Sequence, residues 1–138
     1  MPPILVPIVW YNENDEKFLD TVANLGDSFI VLLIVDTGHT AKFGFPGAGI
    51  LQGRELVEKV AKYLRLKDKK VEEIIEWGDT AGKMVHIAQM KNATVVIHAR
   101  ESLFLNQLKD TLDNNDVKFA VIMEEQKEPE QKKRFAFS

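Results

Sequence analysis

The segment from Glu73 to Arg100 constrains the fold of this chain more than any other. It reads EIIEWGDTAGKMVHIAQMKNATVVIHAR, two apolar stretches that flank a helical pattern. Gly78 permits a sharp turn, and Asp79 can accept hydrogen bonds from the free amides of a helix over about 80–91. A helix between two apolar strands is the βαβ unit of a parallel sheet. Ligands of such sheets gather at the carboxyl ends of the strands.

The residues inside this unit fit the same interpretation. The first strand contains Ile74, Ile75 and Trp77. One face of the helix carries Met84, Val85 and Ala88, and the second strand contains Val95, Val96 and Ile97. The second strand is continuously apolar, which is typical of a strand that is buried on both faces. Asn92 stands between the helix and this strand and is expected to close the helix.

The remaining segments follow the same periodicities. Strands are predicted over 4–10, 29–35 and 117–123, and helices over 15–25, 54–66 and from Ser102 onward. Pro7 in the first strand has no amide hydrogen, which indicates a position where one amide need not join the hydrogen-bond ladder of the sheet. Asn14 or Asp15 is expected to cap the first helix, and Gly26 to take the left-handed position after it. The order βαβαβαβαβ predicts an α/β fold, a single three-layer α/β/α domain with a five-stranded parallel sheet.

Composition narrows the class of protein. A chain of 138 residues predicts one domain, here over 1–124, followed by a charged C-terminal tail over 125–138. No apolar stretch reaches the roughly 18 residues that cross a bilayer, and the first residues do not resemble a signal peptide. The sequence has no cysteine, which excludes disulfides and thiolate chemistry. A net charge of −3 favours neither nucleic acid nor an anionic membrane as a partner, so we expect a cytoplasmic protein.

Four motifs follow one another along the chain: Ile4–Pro7 in the first strand, Leu32–Asp36 in the second, Gly78–Ala81 at the third helix, and Asn92–Ile97 in the strand after it. In this order they resemble the universal stress protein family, within the adenine-nucleotide α-hydrolase-like folds. The resemblance extends from residue 4 to about residue 123. It implies the strand order 3-2-1-4-5 and a homodimer through the last strand. The residues of that strand interface would be Val117, Phe119, Val121 and Met123.

The departures from the family pattern fall on its nucleotide site. ATP-binding members place an acidic residue at the end of the first strand, and here that position holds Val9, or Trp10 if the register shifts. The first two phosphate-binding glycines after the fourth strand correspond to His98 and Glu101, and the later Gly-Ser pair has no counterpart. Glycines let backbone amides approach a phosphate, whereas side chains obstruct that approach. The resemblance therefore supports the fold and argues against ATP binding in the usual manner, so no cofactor is expected.

A small-molecule site remains open as an alternative. A cleft between the ends of strands 1 and 4 would be lined by Pro7, Val9, Val35, His98 and Arg100. We expect His98 and Arg100 to be partly exposed there, where they could hold a small anion. In the other interpretation they cover a vacated nucleotide cleft and bond backbone carbonyls.

Other candidates have simpler interpretations. The Gly44–Gly49 segment is neither a GxGxxG motif nor a P-loop and is interpreted as a flexible connection, with a ligand-contacting lid as the alternative. Glu13, Asp15 and Glu16 are interpreted as a solvated loop with a helix cap. The histidines, His39, His86 and His98, have no metal-ligand spacing, and His86 is expected on the surface.

The sequence supports no catalytic residue, since it has neither a nucleophile elbow nor carboxylates paired across opposing strand ends. The first hypothesis is a non-enzymatic universal-stress-protein-like regulatory or interaction module that has lost the usual ATP-binding glycine motif. The alternative is a small-molecule or nucleotide binder that uses the cleft between strands 1 and 4. An enzyme of the α-hydrolase group is the third possibility, and it has no support from a motif.

Overall fold

The structure of the protein is a computed structural model that describes residues 2–36, 50–99 and 102–123. Strands and helices alternate in the predicted order. The strands are β1 (Ile4–Ile8), β2 (Ser28–Val35), β3 (Lys70–Trp77), β4 (Thr94–Ala99) and β5 (Phe119–Met123). The helices are α1 (Glu16–Ala23), α2 (Ile50–Leu66), α3 (Thr80–Lys91) and α4 (Leu103–Asn114).

The five strands form one sheet in the order β3-β2-β1-β4-β5, and each neighbouring pair is parallel. This confirms the α/β class, the parallel sheet and the strand order that the family resemblance implied. The order reverses at β1, which lies between β2 and β4. In an open α/β sheet the crevice at such a reversal point is where ligands bind, so the ends of β1 and β4 decide where a site can form.

Two apolar cores lie on opposite faces of the sheet. On one face, α1 and α2 cover Ile4, Val6 and Ile8 of β1 together with the odd-numbered residues of β2 from Phe29 to Val35. On the other face, α3 and α4 cover Leu5 and Val9 together with the even-numbered residues of β2. The alternation follows from the two-residue period of a strand, and it places helices on both faces as predicted.

Pro7 accounts for a break in the sheet at the reversal point. Thr94 N donates to Pro3 O, so the odd-numbered backbone groups of β1 face β4. The pairing of β1 with β4 covers Ile4 and Leu5 and stops before Pro7, whereas the pairing with β2 continues to Ile8. A proline has no amide hydrogen to donate where that ladder would continue. The prediction that one amide of this strand stays out of the ladder is therefore confirmed.

Four predicted boundaries need correction, and one of them is the start of β5, which is Phe119 instead of Val117. β1 ends at Ile8 instead of Trp10, because the next two amides donate to a side chain. α1 ends at Ala23 instead of Leu25, and α2 already begins at Ile50. Gly26 does not have the left-handed conformation; among the described glycines only Gly78 has a positive φ, of 144°. A Cβ atom at Gly26 would lie 3.3 Å from Ile4 Cγ1, so close packing is the reason for a small residue there.

Several predictions lie outside the described residues. They concern Gly44–Gly49, His39, Arg100, Glu101 and the tail over 125–138. Within the described ranges, no helix is both long and apolar enough to cross a membrane.

Candidate functional site

The carboxyl edge of the sheet holds the candidate site. Four described segments meet at this edge: the β1–α1 loop over 9–15, Asp36 after β2, the start of α3 at Asp79, and His98 near the end of β4. Asp79 accepts a hydrogen bond from Gly82 N at 2.8 Å, which confirms the predicted cap of α3. Parallel strands bring their carboxyl ends to one edge, so residues far apart in sequence lie together there.

The predicted cleft residues do not share one face of the sheet. Val9 belongs to the core under α3 and α4, and Pro7 points to the same side by strand alternation. Val35 belongs to the opposite core, and the His98 ring lies on that side against Phe18. All four predicted residues within the described ranges are buried, so a single cleft lined by this set is wrong in its geometry. Whether any of these residues binds a ligand stays a prediction.

His98 lies near the carboxyl end of β4, as expected, but only 2% of it is exposed. The expectation of partial exposure is wrong, because the imidazole stacks on the Phe18 ring of α1 with 4.4 Å between the ring centroids. The Nδ1 atom lies 3.3 Å from Ile122 O, which confirms the alternative that His98 bonds a backbone carbonyl. Nε2 has no hydrogen-bond partner and lies 3.7 Å from Asp15 Oδ2.

The sequence interpretation of Glu13 is also wrong. It was interpreted as a solvated loop acid, yet it is fully buried, at 0% exposure. Its Oε2 accepts hydrogen bonds from Val9 N at 2.9 Å and Trp10 N at 2.8 Å. Burial raises the pKa of this carboxyl to about 7, because removal from water disfavours the ionised form. Its position five residues after Ile8, the last residue of the buried strand β1, within reach of free amides, is the only sequence signal for this role.

Buried polar atoms without a partner cluster in the same region. In the described part of the chain these side-chain atoms are Trp10 Nε1, Asn12 Nδ2 and Oδ1, Glu13 Oε1 and His98 Nε2. Buried polar groups are nearly always hydrogen-bonded, so such a concentration needs an explanation. Water or a small polar molecule at the end of β1 would provide the missing partners.

A separate pocket of about 180 Å³ lies between α3 and α4, on the face of the sheet opposite to the His98 ring. Thr80, Phe104 and Thr111 are among the residues that line it. The Phe104 ring also meets the Trp10 ring edge-on, with 5.5 Å between the centroids. Asp36 Oδ2 accepts hydrogen bonds from Thr80 N and Thr80 Oγ1 at 3.3 Å each, which ties the end of β2 to the start of α3.

Comparison with solved structures identifies the fold. The hypothetical protein MJ0577, the subject of a structure-based assignment of biochemical function, matches with a TM-score of 0.66 and 16% identity, over 91% of this chain and 98% of that one. The hypothetical protein PH0823 matches with a TM-score of 0.61 and 17% identity, over 92% and 98% of the two chains. The universal stress protein UspA from Lactobacillus plantarum matches with a TM-score of 0.57 and 12% identity, over 88% and 97%.

The chain has the universal stress protein fold. No protein-family model matches the chain, and no curated protein matches it. The resemblance that the four sequence motifs indicated is therefore borne out at the level of three-dimensional structure.

The sequence resemblance assigned Val9 to the family's acidic position and His98 to its first phosphate-binding glycine. In the structure Val9 is 7% exposed and packs in the core, and the His98 ring stacks on Phe18. Whether the chain has lost the nucleotide motif stays a prediction. Among the described residues no group of three or more histidine or carboxylate side chains is arranged to hold a metal ion.

Proposed function

We propose that this protein is a non-enzymatic regulatory or interaction module of the universal stress protein type that does not bind ATP in the usual manner. The observation that carries the proposal is the filled carboxyl edge at the reversal point of the sheet. His98 and Glu13 occupy that edge as buried side chains, at 2% and 0% exposure. In an open α/β sheet a nucleotide would need a crevice at this place.

Charge at the same edge also supports the proposal. The carboxylate of Asp15 lies beside His98, and that of Asp36 ends β2. Carboxylates repel a triphosphate, and the low dielectric around the buried Asp36 strengthens the repulsion more than at the exposed Asp15. Backbone amides that could otherwise meet an anion here, those of Val9 and Trp10, already donate to Glu13.

Calorimetric titration with Mg-ATP tests the proposal. We expect no binding tighter than millimolar, and an ATP-binding universal stress protein with the intact glycine motif is the positive control. A micromolar dissociation constant for this chain would overturn the proposal.

The proposal extends to assembly and location. A homodimer through β5 is proposed, because β5 is an edge strand with an apolar sequence and such edges need cover. The cytoplasm is the proposed location, since a chain without cysteine needs no oxidising compartment.

One observation favours a second candidate, a binder of small polar molecules. Four unpartnered buried polar atoms belong to Trp10, Asn12 and Glu13, all in the loop that follows β1. A small molecule with both hydrogen-bond donors and acceptors would satisfy them. Mass spectrometry of small molecules released from the purified protein by denaturation distinguishes the two candidates. A stoichiometric compound supports the binder, and its absence supports the interaction module.

A further inference from the structure

The β1–α1 loop holds a carboxylate in a way that ordinary loops do not. The last residue of β1 is Ile8, and the next two amides, of Val9 and Trp10, leave the sheet and converge on one oxygen of Glu13 at 2.9 and 2.8 Å. Two amides on one carboxylate oxygen are a feature of anion-binding backbone. The Glu13 side chain is fully buried, so no solvent competes for these bonds.

The backbone of this loop is shaped to bring its amides inward. Tyr11 has a φ of 67°, a left-handed conformation that is unfavourable for a bulky side chain. Asp15 N donates to Asn12 O at 3.1 Å and closes the turn. A turn that brings successive backbone amides to one side forms an anion-binding concavity. The amides of Val9 and Trp10, which precede the left-handed Tyr11, meet on the Glu13 carboxylate in this way.

Two opposing influences act on the charge of this carboxylate. Burial is the larger one and raises the pKa of Glu13, and the amides of Trp10, Val9, Glu13 and Asn12 favour the ionised form and lower it. Within the described part of the chain, the groups that act on this charge are backbone amides and not basic side chains. The titratable side chain on which the charge acts in turn is Tyr11, whose pKa is raised to about 12 mainly by burial and also by Glu13.

We propose that the backbone of residues 9–13 is a carboxylate-binding site, here called the carboxylate nest, and that the chain occupies it with its own Glu13. The nest lies at the reversal point of the sheet, so its internal ligand prevents an outside anion from binding there. The backbone holds the carboxylate through one oxygen, since both amide bonds go to Oε2. This inference concerns the wild-type loop and stands whether or not the protein binds ATP.

Removal of the internal ligand tests the proposal by chemical rescue. In Glu13→Ala the amides of Val9 and Trp10 lose their acceptor, and formate or acetate should restore it. We expect the melting temperature of Glu13→Ala to rise saturably by several degrees in formate or acetate, relative to sodium chloride at equal ionic strength. The wild type and the matched variant Glu16→Ala, which removes an exposed acid of α1, should show no such rise. Equal responses of all three proteins, or none in a folded Glu13→Ala, would overturn the proposal.

A second measurement keeps the test decisive if Glu13→Ala does not fold. The backbone amide proton shifts of Val9 and Trp10 are followed by NMR against pH in the wild type and in Glu13→Gln. We expect both amides to titrate together near neutral pH in the wild type, since the pKa of Glu13 is raised to about 7, and to stay unchanged in Glu13→Gln. Amides that do not titrate in the wild type, or that titrate equally in Glu13→Gln, would refute the carboxylate nest.

Discussion

At the scale of single residues, Glu13 is expected to make stability depend on pH. Its folded-state pKa is raised from 4.5 to about 7, mainly by burial. Between these values the folded protein keeps a proton that the unfolded chain has lost, so the free energy of unfolding falls as pH rises through this range and levels off above it. At about 1.4 kcal/mol per pKa unit, the loss amounts to roughly 3 kcal/mol.

Glu13→Gln keeps an oxygen acceptor and removes the titration. We therefore expect the stability of Glu13→Gln relative to the wild type to increase between pH 5 and pH 8, by up to roughly 3 kcal/mol. Urea denaturation at both pH values measures it, and Glu16→Gln on the exposed face of α1 is the control. A relative stability that is the same at both pH values would show that Glu13 does not titrate in this range.

Sequence reasoning was least successful in predicting the burial of individual polar residues. Glu13 and His98 are polar residues, and polar residues are usually exposed, so the burial of both was missed. Their burial depends on contacts across the fold, such as the Phe18 ring against His98. The sequence pattern of a single segment carries no information about such partners.

At the scale of elements, the N-cap residues of α1 and α3 can be compared directly. Asp79 and Asp15 are both exposed aspartates at N-cap positions, but only the Asp79 side chain accepts a helix amide, from Gly82 at 2.8 Å. We expect Asp79→Ala to lower the free energy of unfolding by about 1 kcal/mol, because it leaves that amide without its cap. Asp15→Ala should have a smaller effect, because the Asp15 side chain accepts no hydrogen bond from a helix amide.

Urea denaturation of both variants at pH 8.5 measures the difference. Equal losses would contradict the role of the Asp79 cap, and a larger loss for Asp15→Ala would show that its side chain has a different role.

Elements were predictable where local pattern and tertiary packing agree. The sequence predicted α3 over about 80–91 with Asp79 as its cap and Asn92 at its end, and the structure has all three, with Asn92 at a φ of 52°. β1 was predicted two residues too long, because Val9 and Trp10 are apolar but their amides donate to Glu13. Hydrophobicity indicates which residues are buried, but not where a ladder of hydrogen bonds stops.

At the scale of the whole molecule, the two edges of the sheet differ in a way that bears on assembly. β3 is one edge, and its outward groups are protected: Arg65 Nη2 donates to Val71 O at 3.0 Å and Nη1 pairs with Glu73 at 2.8 Å. β5 is the other edge. Val95 N donates to Lys118 O, so by alternation the backbone groups of Phe119, Val121 and Met123 face outward. Charged edges resist strand pairing and apolar edges favour it.

From this difference between the edges we expect a twofold dimer through β5. An antiparallel pairing centred on Val121 places that residue opposite its own copy and Phe119 opposite Met123, so every pair is apolar and no like charges meet. Val117 precedes β5 and lies in the core at 7% exposure, so it is not a residue of the edge strand, and its place in the interface stays a prediction. Met123, in contrast, is 43% exposed in the single chain.

Light scattering combined with size-exclusion chromatography at micromolar concentration decides the assembly. For the wild type we expect about twice the chain mass of 15.7 kDa. Val121→Pro should give the mass of one chain, because proline removes the amide that each copy donates at the twofold axis and its ring obstructs the pairing. Val121→Ala keeps that amide and should remain a dimer, which separates loss of the ladder from loss of side-chain volume. A wild type near 15.7 kDa, or a dimeric Val121→Pro, would show that the copies do not pair through β5.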